Sequence, residues 1–182
     1  MANQQPERGN LITLEGFHDA ELRATGKALL KKLCGARAAG VSQWDSSGLF
    51  YELSRTRGGE VPSPKTLLML YAADLAFRLR WEIEPFLAEG RDVMAAPYVE
   101  TAVAFGRAVG VEPEWMDSLF EFAPAPAQSF RLTRPPSGSK GFASHCFRLL
   151  EGGAGHWKKM SGSKPLMAHL AQLKTAPASR KP

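Results

Sequence analysis

The sequence predicts an α/β fold in which a parallel β-sheet is flanked by helices. Short apolar segments alternate with helix-like segments from residue 10 to residue 136. This alternation is typical of a parallel sheet, because the crossover that joins two parallel strands is usually a helix. The 182 residues are 44% apolar and 23% charged, which fits one globular domain with a full core.

The first half of the chain predicts two strands and two helices. An apolar strand covers residues 11–16, and a helix with Asp19 as its N-cap follows over residues 20–39, with a stop at Gly40. Residues 41–44 have the pattern of a short strand. A helix then runs through Leu49, Phe50 and Leu53 before Arg57-Gly58-Gly59 ends it.

The second half begins with a strong helix signal. Ser63 is an N-cap candidate and Pro64 fits the first turn, so we expect a long helix from there towards Ala88, ended by Gly90. The elements expected after it are a strand over 91–96, a helix over 98–109, a helix from Pro113 and a strand over 129–133 that Pro135-Pro136 closes.

Charge divides the chain unevenly. Residues 131–182 contain ten Lys and Arg but one acid, a net charge of +9, whereas residues 1–130 carry −4. We expect a disordered N-terminus over residues 1–9, one domain over 10–136 and an irregular, basic, Gly/Ser/Pro-rich segment with short helices over 137–182. Such a segment is typical of a solvated tail or of a docking region for an anionic partner.

Several classes of protein are disfavoured by the composition. No apolar run is long enough to span a membrane, and the N-terminus lacks the apolar core of a secretory signal, so we expect a cytoplasmic protein. The two cysteines, Cys34 and Cys146, have no metal-type spacing and are interpreted as structural thiols. His145, His156 and His169 also lack the spaced partners of a metal site.

The connection after the first strand lies where a phosphate-binding loop would begin. Such a loop needs a Gly, four residues, a second Gly, then Lys and Ser or Thr, because backbone N–H groups and the Lys hold the phosphates. Counting from Gly16, those last three places fall on Glu21, Leu22 and Arg23. The loop therefore lacks the groups that bind phosphate.

Residues 10–136 nevertheless resemble the thymidylate kinases. The similar blocks are Ile12–Gly16, Ser63–Asp74 with Ile83-Glu84-Pro85 and Ala88-Glu89-Gly90, Val93–Tyr98, Ala102–Gly106, Glu114–Pro124 and Ser129–Pro136. Their order and spacing together carry the resemblance. It implies a P-loop kinase-like fold, transfer of phosphate from ATP to dTMP, and Mg²⁺ as the metal.

The same resemblance implies that most phosphate-handling groups are missing. The Asp-Arg pair of the family falls on Ala96-Pro97, and the Arg that follows Ala-Ala-Asp falls on Leu75. The Arg-Glu-Pro segment falls on residues 44–46, and no Arg-bearing lid is recognisable after Pro136. Phosphoryl transfer depends on such cations and metal ligands, because they neutralise the charge of the transferred group.

The resemblance also defines a degenerate nucleotide cleft. Its candidate residues are Glu15, Gly16, Lys27, Asp74, Tyr98 and Phe105. Lys27 follows Gly26 and would need a rearranged loop to reach phosphate; the alternative is a solvated helical Lys. Glu15 and Tyr98 have a second interpretation as packing or loop support. Phe77, Trp81 and Phe86 fit either a base pocket or, more commonly, the core.

Three functions follow from these observations. The first is a catalytically inactive pseudokinase that binds, scaffolds or regulates, with a protein partner or a second copy of the chain and no cofactor. The second is a residual kinase that transfers phosphate from ATP to dTMP with Mg²⁺ and uses Lys27 and Arg23. The third is binding of nucleic acid or an acidic protein by the basic C-terminal segment.

Overall fold

The computed structural model describes residues 7–16, 19–55 and 62–132 and contains a four-stranded parallel sheet. The strands are β1 (Leu11–Glu15), β2 (Ala38–Gln43), β3 (Asp92–Ala96) and β4 (Gln128–Arg131), in the spatial order β2-β3-β1-β4. All three strand pairs are parallel. The predicted fold class is therefore confirmed.

Six α-helices connect the described strands. They are α1 (Asp19–Cys34), α2 (Leu49–Arg55), α3 (Pro64–Arg78), α4 (Glu84–Ala88), α5 (Val99–Ala108) and α6 (Pro113–Leu119). Helix α1 packs on one face of the sheet, on Ile12, Leu14 and Met94. Helices α3, α5 and α6 cover the opposite face, where Leu11, Val93 and Ala95 point. Alternate strand residues thus serve two cores, as the period of two in a strand requires.

The predicted end of α1 was wrong. The helix ends at Cys34, a 3₁₀ turn follows over Gly35–Arg37, and β2 begins at Ala38 rather than residue 41. Gly35 has φ +53°, a left-handed conformation that glycine adopts without steric cost and that commonly ends helices. The stop signal was Gly35, not Gly40, and the Ala residues between them belong to the turn and the strand.

The helical start at Pro64 was predicted correctly. The Ser63 hydroxyl accepts a hydrogen bond from the Thr66 N–H at 3.1 Å, as an N-cap does. The helical path to Ala88 is interrupted by a π-helical turn over Leu79–Ile83. Pro85 lies two residues beyond it; proline lacks an N–H and clashes with the carbonyl four residues earlier, and a π turn relieves both conflicts.

The other predicted strands and helices are present, with small differences in their first and last residues. The structure contains the predicted strands β3 and β4 and the predicted helices α2, α5 and α6. Strand β4 begins at Gln128. Phe77 and Trp81 are 43% and 65% exposed, so they are not core residues, whereas Phe86 packs against the core. No helix among the described residues is both long and apolar enough to cross a membrane.

Several predictions concern residues outside the described part of the chain. They are the N-terminus before residue 7, the helix break at residues 57–59, the Pro135-Pro136 closure, Cys146, the three C-terminal histidines and the whole basic segment over 137–182. The described thiol, Cys34, is half-buried, and burial together with nearby Asp92 raises the pKa of that thiol to about 11. A thiol that stays protonated at neutral pH fits its interpretation as structural.

Candidate functional site

The strand order places a ligand crevice between the carboxyl ends of β1 and β3. After β1 the chain crosses one face of the sheet to β2, and after β3 it crosses the other face to β4. Such a reversal opens a crevice between the two strand ends, and open α/β sheets bind ligands there. At this place β1 ends at Glu15, followed by Gly16, and β3 ends at Ala96, followed by Pro97 and Tyr98.

Glu15 lies in the crevice as a buried helix cap. Its Oε2 accepts hydrogen bonds from the backbone N–H groups of Tyr98 at 3.1 Å and Thr101 at 3.0 Å, and from the Thr101 hydroxyl at 2.5 Å. Its Oε1 accepts from the Glu100 N–H at 3.3 Å. These donors belong to the first turn of α5, where a negative charge is stabilised by the free N–H groups and the helix dipole.

The environment of Glu15 restricts what its carboxylate can do. The residue is 1% exposed, and burial raises the pKa of Glu15 above its usual value, while the hydrogen bond from Thr101 opposes the rise. Four donated hydrogen bonds occupy both oxygens. Three of these bonds fall on Oε2 and one on Oε1, so most of the acceptor capacity of the carboxylate is used by the start of α5.

The entry to the would-be phosphate loop is closed by the same group of residues. The Gly16 N–H donates to the Thr101 hydroxyl at 3.3 Å, so the first backbone N–H after β1 is already used. Leu22, which takes the place of the phosphate-binding Lys, is fully buried in the core between α1 and the sheet. Residues 17 and 18 lie outside the described part. The described part of this connection does not fit ATP with Mg²⁺.

A single peptide group links the buried carboxylate to a buried cation. The carbonyl of Pro97 accepts a hydrogen bond from Arg78 Nη2 at 3.1 Å, and the N–H of the same peptide, contributed by Tyr98, donates to Glu15. The Pro97–Tyr98 peptide thus lies between the two charges and is polarised by both. The resemblance aligned the missing Asp-Arg pair with Ala96-Pro97, so this peptide group lies where those charged side chains would be.

Arg78 reaches the sheet edge from the last turn of α3. It is 0% exposed; Nε donates to Ser42 Oγ at 3.0 Å, and Nη2 donates to the Ser42 carbonyl at 2.9 Å as well as to Pro97. The Ser42 hydroxyl in turn donates to Glu82 Oε2 at 2.6 Å. The guanidinium therefore joins α3 to the carboxyl ends of β2 and β3.

The second buried carboxylate at this edge holds a loop. Asp74 accepts hydrogen bonds from the Asp45 N–H at 2.9 Å, the Ser47 N–H at 3.2 Å and the Ser47 hydroxyl at 2.9 Å. Asp45, at φ +58°, then caps α2 by accepting from the N–H groups of Phe50 and Tyr51 at 2.7 and 2.9 Å. Burial raises the pKa of Asp45, and these two hydrogen bonds oppose the rise.

Lys27 lies away from the crevice. It is exposed and is the ninth residue of α1, so its Cα lies about 12 Å along the axis from the start of the helix. Its neighbour Gly26 is buried, and a Cβ there would lie 3.1 Å from Met94 Sδ and 3.4 Å from Val41. The Gly-Lys dipeptide thus allows α1 to approach the sheet closely.

The two aromatic candidates have different surroundings. Tyr98 borders the crevice through its backbone, and its hydroxyl donates to the Pro124 carbonyl at 2.9 Å, which fixes the loop before β4. Phe105 lies on α5 and is fully buried in the same core as the apolar residues of α3. The structure therefore brings Glu15, Gly16 and Tyr98 together. Asp74 lies at the same edge of the sheet but holds the loop after β2, and Lys27 and Phe105 lie away from this edge.

Sequence reasoning missed Arg78, Thr101, Ser42 and Asp45. An arginine inside a helix is normally assigned to the surface, and a Thr two residues into a helix carries no site signal. The available signal for Asp45 was its position four residues before α2 in a polar stretch, which is typical of a cap or turn. Among the described residues no group of three or more His, Cys, Asp or Glu is arranged to hold a metal ion.

Comparisons with known proteins agree with the fold. No protein-family profile matches the chain. It is 28% identical over 126 residues to "Probable thymidylate kinase" of Pyrobaculum aerophilum, covering 69% of this chain and 65% of that protein. It is 28% identical over 131 residues to "Probable thymidylate kinase 2" of Saccharolobus solfataricus, covering 71% of this chain and 61% of that protein. The chain thus matches less than two thirds of the length of these relatives.

Comparison with solved structures also finds thymidylate kinases. The crystal structure of thymidylate kinase from Ehrlichia chaffeensis is similar with a TM-score of 0.58 and 16% identity, over 68% of this chain and 71% of that one. Thymidylate kinase from Candida albicans is similar with a TM-score of 0.54 and 17% identity, over 91% and 89%. The chain therefore has the fold of the thymidylate kinases and is related in sequence to proteins of that name.

Proposed function

We propose that this thymidylate kinase-like protein does not transfer phosphate and acts as a binding, scaffolding or regulatory subunit. The observation that carries the proposal is the use of Glu15. At the strand ends where a kinase needs free N–H groups and metal ligands, this carboxylate and the Thr101 hydroxyl are hydrogen-bonded to backbone N–H groups and to each other.

The energetic argument supports the same conclusion. To free Glu15 for a metal ion, the chain would have to leave the first N–H groups of α5 without partners in a buried site. Each unsatisfied buried donor costs roughly 1–3 kcal/mol, so the capped arrangement is strongly preferred. Loss of one transition-state contact typically lowers a rate by about 10²–10³, and several such contacts are replaced here.

A residual kinase is the second candidate, and the names of the curated relatives favour it. Under that hypothesis the chain transfers phosphate from ATP to dTMP, with Mg²⁺ and with Lys27 as the cation on the transferred group. Lys27→Ala should then abolish turnover, whereas the solvated position of Lys27 on α1 leads us to expect no such dependence. Lys31→Ala is the matched control on the same helix.

Binding of nucleic acid or an acidic protein remains a separate prediction. It rests on the charge of residues 131–182 alone, since residues 133–182 lie outside the described part of the chain. Affinity for a polyanion should fall steeply with salt, because neutralised phosphates release condensed counterions. Affinity that is unchanged when residues 137–182 are removed would contradict it.

Isothermal titration of the folded protein with ATP-Mg²⁺ and, separately, with dTMP tests the proposed function. We expect no heat of binding for ATP-Mg²⁺, because the connection after β1 offers it neither a free Gly16 N–H nor a Lys at position 22. The protein from Pyrobaculum aerophilum serves as the comparison sample. Micromolar affinity for ATP-Mg²⁺ would contradict the proposal and favour the residual kinase.

A further inference from the structure

Positive charge in the body of the protein is concentrated on helix α1 and on the turn and strand that follow it. Residues 22–44 contain five Lys and Arg and no acid, whereas the rest of residues 1–130 contains eight Lys and Arg and seventeen acids. An acidic body thus carries one basic element. Such a separation of charge gives the surface of that element a positive potential.

The basic side chains of α1 are exposed and lie along one side of the helix. Arg23, Lys27 and Lys31 follow one another at intervals of four residues, so they are about 6 Å apart along the helix axis. Lys32 lies beside the end of this line. The other side of the helix carries buried leucines that pack on the sheet. We call the four exposed residues, Arg23, Lys27, Lys31 and Lys32, the α1 basic face.

The charges of the α1 basic face have no carboxylate partner in the described part of the chain. No ion pair to any of its four residues occurs within residues 7–16, 19–55 and 62–132. Arg23 Nε donates a hydrogen bond to Gln43 Oε1, which is a neutral group. Like charges four residues apart on a helix repel one another, so an anionic partner would relieve this repulsion as well as contact the face.

The basic C-terminal segment begins on the same side of the sheet as α1. Leu132, the last described residue, packs against the same apolar cluster as α1. A Cβ at Gly16 would lie 3.2 Å from Leu22 of α1 and 3.3 Å from Leu132, so these two residues lie close together. Residues 133–182 contain nine Lys and Arg and one acid. The chain therefore enters its most basic segment next to the first turns of α1.

A regular line of cations fits the phosphate backbone of a nucleic acid. Phosphates follow one another at regular steps along each strand, and Lys binds a phosphate as a point charge without selecting a base. Helix α1 contains no aromatic residue. Proteins that bind single strands usually stack bases on aromatic side chains, so the partner that this face fits is a duplex.

We propose that the α1 basic face, together with the basic segment 133–182, binds the phosphate backbone of a duplex nucleic acid without reading its sequence. The folded helix contributes cations at a fixed spacing, and the C-terminal segment contributes further positive charge. The inference rests on the proposed function only in that it names the partner of a binding protein. It does not depend on whether the protein transfers phosphate.

Fluorescence anisotropy of the full-length protein with a labelled DNA duplex tests the proposal. Lys27→Gln combined with Lys31→Gln should lower the affinity about tenfold at low salt. It should also reduce the slope of log K against log salt by about 1.8, because each lost phosphate contact contributes about 0.9. The matched control is Arg80→Gln combined with Arg107→Gln, which removes the same charge from exposed positions on the opposite face of the sheet. Its affinity should stay within about twofold, because salt screens distant charges.

Three results would overturn the inference. The first is an equal loss of affinity in the two double variants, and the second is an unchanged salt slope in the α1 variant; either would assign binding to the C-terminal segment alone. The third is displacement of the duplex by an equal charge of polyglutamate, which would show that an acidic protein fits the face better. A duplex that outcompetes polyglutamate, and whose affinity is the same for two unrelated base sequences, supports the inference.

The same experiment separates this inference from the proposed function. Formation of dTDP from ATP and dTMP would contradict the proposed function whether or not the duplex binds. A duplex that does not bind the full-length protein at low salt would overturn this inference and leave the proposed loss of phosphoryl transfer untouched.

Discussion

At the scale of single residues, the crevice is dominated by charges that hold the backbone. Glu15 caps α5, Asp74 holds the loop after β2, and Arg78 joins two strand ends to α3. A residue type associated with catalysis can therefore be structural when its polar atoms hold backbone groups and neighbouring hydroxyls in place. The chemistry of a site is decided by the groups left free.

Replacement of Glu15 tests this role. Glu15→Ala should lower the free energy of unfolding by about 3 kcal/mol, because it leaves buried N–H groups of α5 without an acceptor. Urea denaturation measures the change. Glu121→Ala, at an exposed position, is the control and should change stability by less than about 0.5 kcal/mol. A loss below about 1 kcal/mol for Glu15→Ala would show that the cap contributes little.

At the scale of elements, the packing of α1 explains the Gly26-Lys27 dipeptide, which resembles the Gly-Lys pair of a phosphate-binding loop. Gly26 faces the sheet and Lys27 faces solvent. A Cβ at position 26 would lie 3.1 Å from Met94 Sδ, so that side chain would have to shift slightly, and the two further methyl groups of valine would require a larger adjustment of α1 or the sheet. A side chain at position 26 would thus be in steric conflict with the sheet where α1 packs against it.

Gly26→Val should therefore destabilise the fold by about 1–3 kcal/mol, the usual cost of overpacking a core. Ala28→Val lies two residues away on the exposed side of α1 and has the same β-branched side chain, so it measures the loss of helix propensity alone. Thermal or urea unfolding compares the two. Equal losses would mean that Gly26 is not required for close packing.

The contacts of Asp92 at the start of β3 predict how the stability of the protein depends on pH. Asp92 Oδ1 accepts hydrogen bonds from the Asn10 N–H at 2.7 Å and from Asn10 Nδ2 at 3.0 Å, and it pairs with Arg37 at 3.3 Å. Burial alone would raise the pKa of Asp92, but these partners and Cys34 lower it below 3.8 overall. The folded state therefore favours the carboxylate, which stabilises the protein above the ordinary carboxyl pKa.

The stability difference between the native protein and Asp92→Asn should accordingly be largest at neutral pH, at about 1–2 kcal/mol. It should shrink as the pH falls through the folded pKa of Asp92, because the carboxyl is then protonated in both states. Urea unfolding of both proteins across the acid range gives the difference directly. A stability difference that does not depend on pH would refute the lowered pKa of Asp92 in the folded state.

Local signals explain which elements could be predicted. The Ser63-Pro64 start and the apolar strands carry their information in adjacent residues, and the structure confirms them. The end of α1 was misplaced because Gly35 and Gly40 give the same local signal. The roles of Arg78 and Thr101 depend on contacts with β2 and β1, far away in the sequence, so no local pattern reveals them.

At the scale of the whole molecule, the described strands form an open parallel sheet whose carboxyl ends meet a group of hydrogen-bonded buried residues. The strand order and the reversal between β1 and β3 are those of a nucleotide-binding α/β sheet. The groups at the strand ends are engaged with one another: Arg78, the Pro97–Tyr98 peptide, Glu15 and the first turn of α5 form one hydrogen-bonded series. Such a series stabilises the carboxyl edge of the sheet by joining α3, β1, β3 and α5.

The most direct measurement of the central claim is phosphoryl transfer itself. The purified full-length protein is incubated with ATP, Mg²⁺ and dTMP, and dTDP is quantified, with the Pyrobaculum aerophilum relative assayed in parallel. We predict no dTDP above the level without protein, because the groups at the sheet edge are committed to the fold. Sustained formation of dTDP that scales with protein concentration would contradict the account.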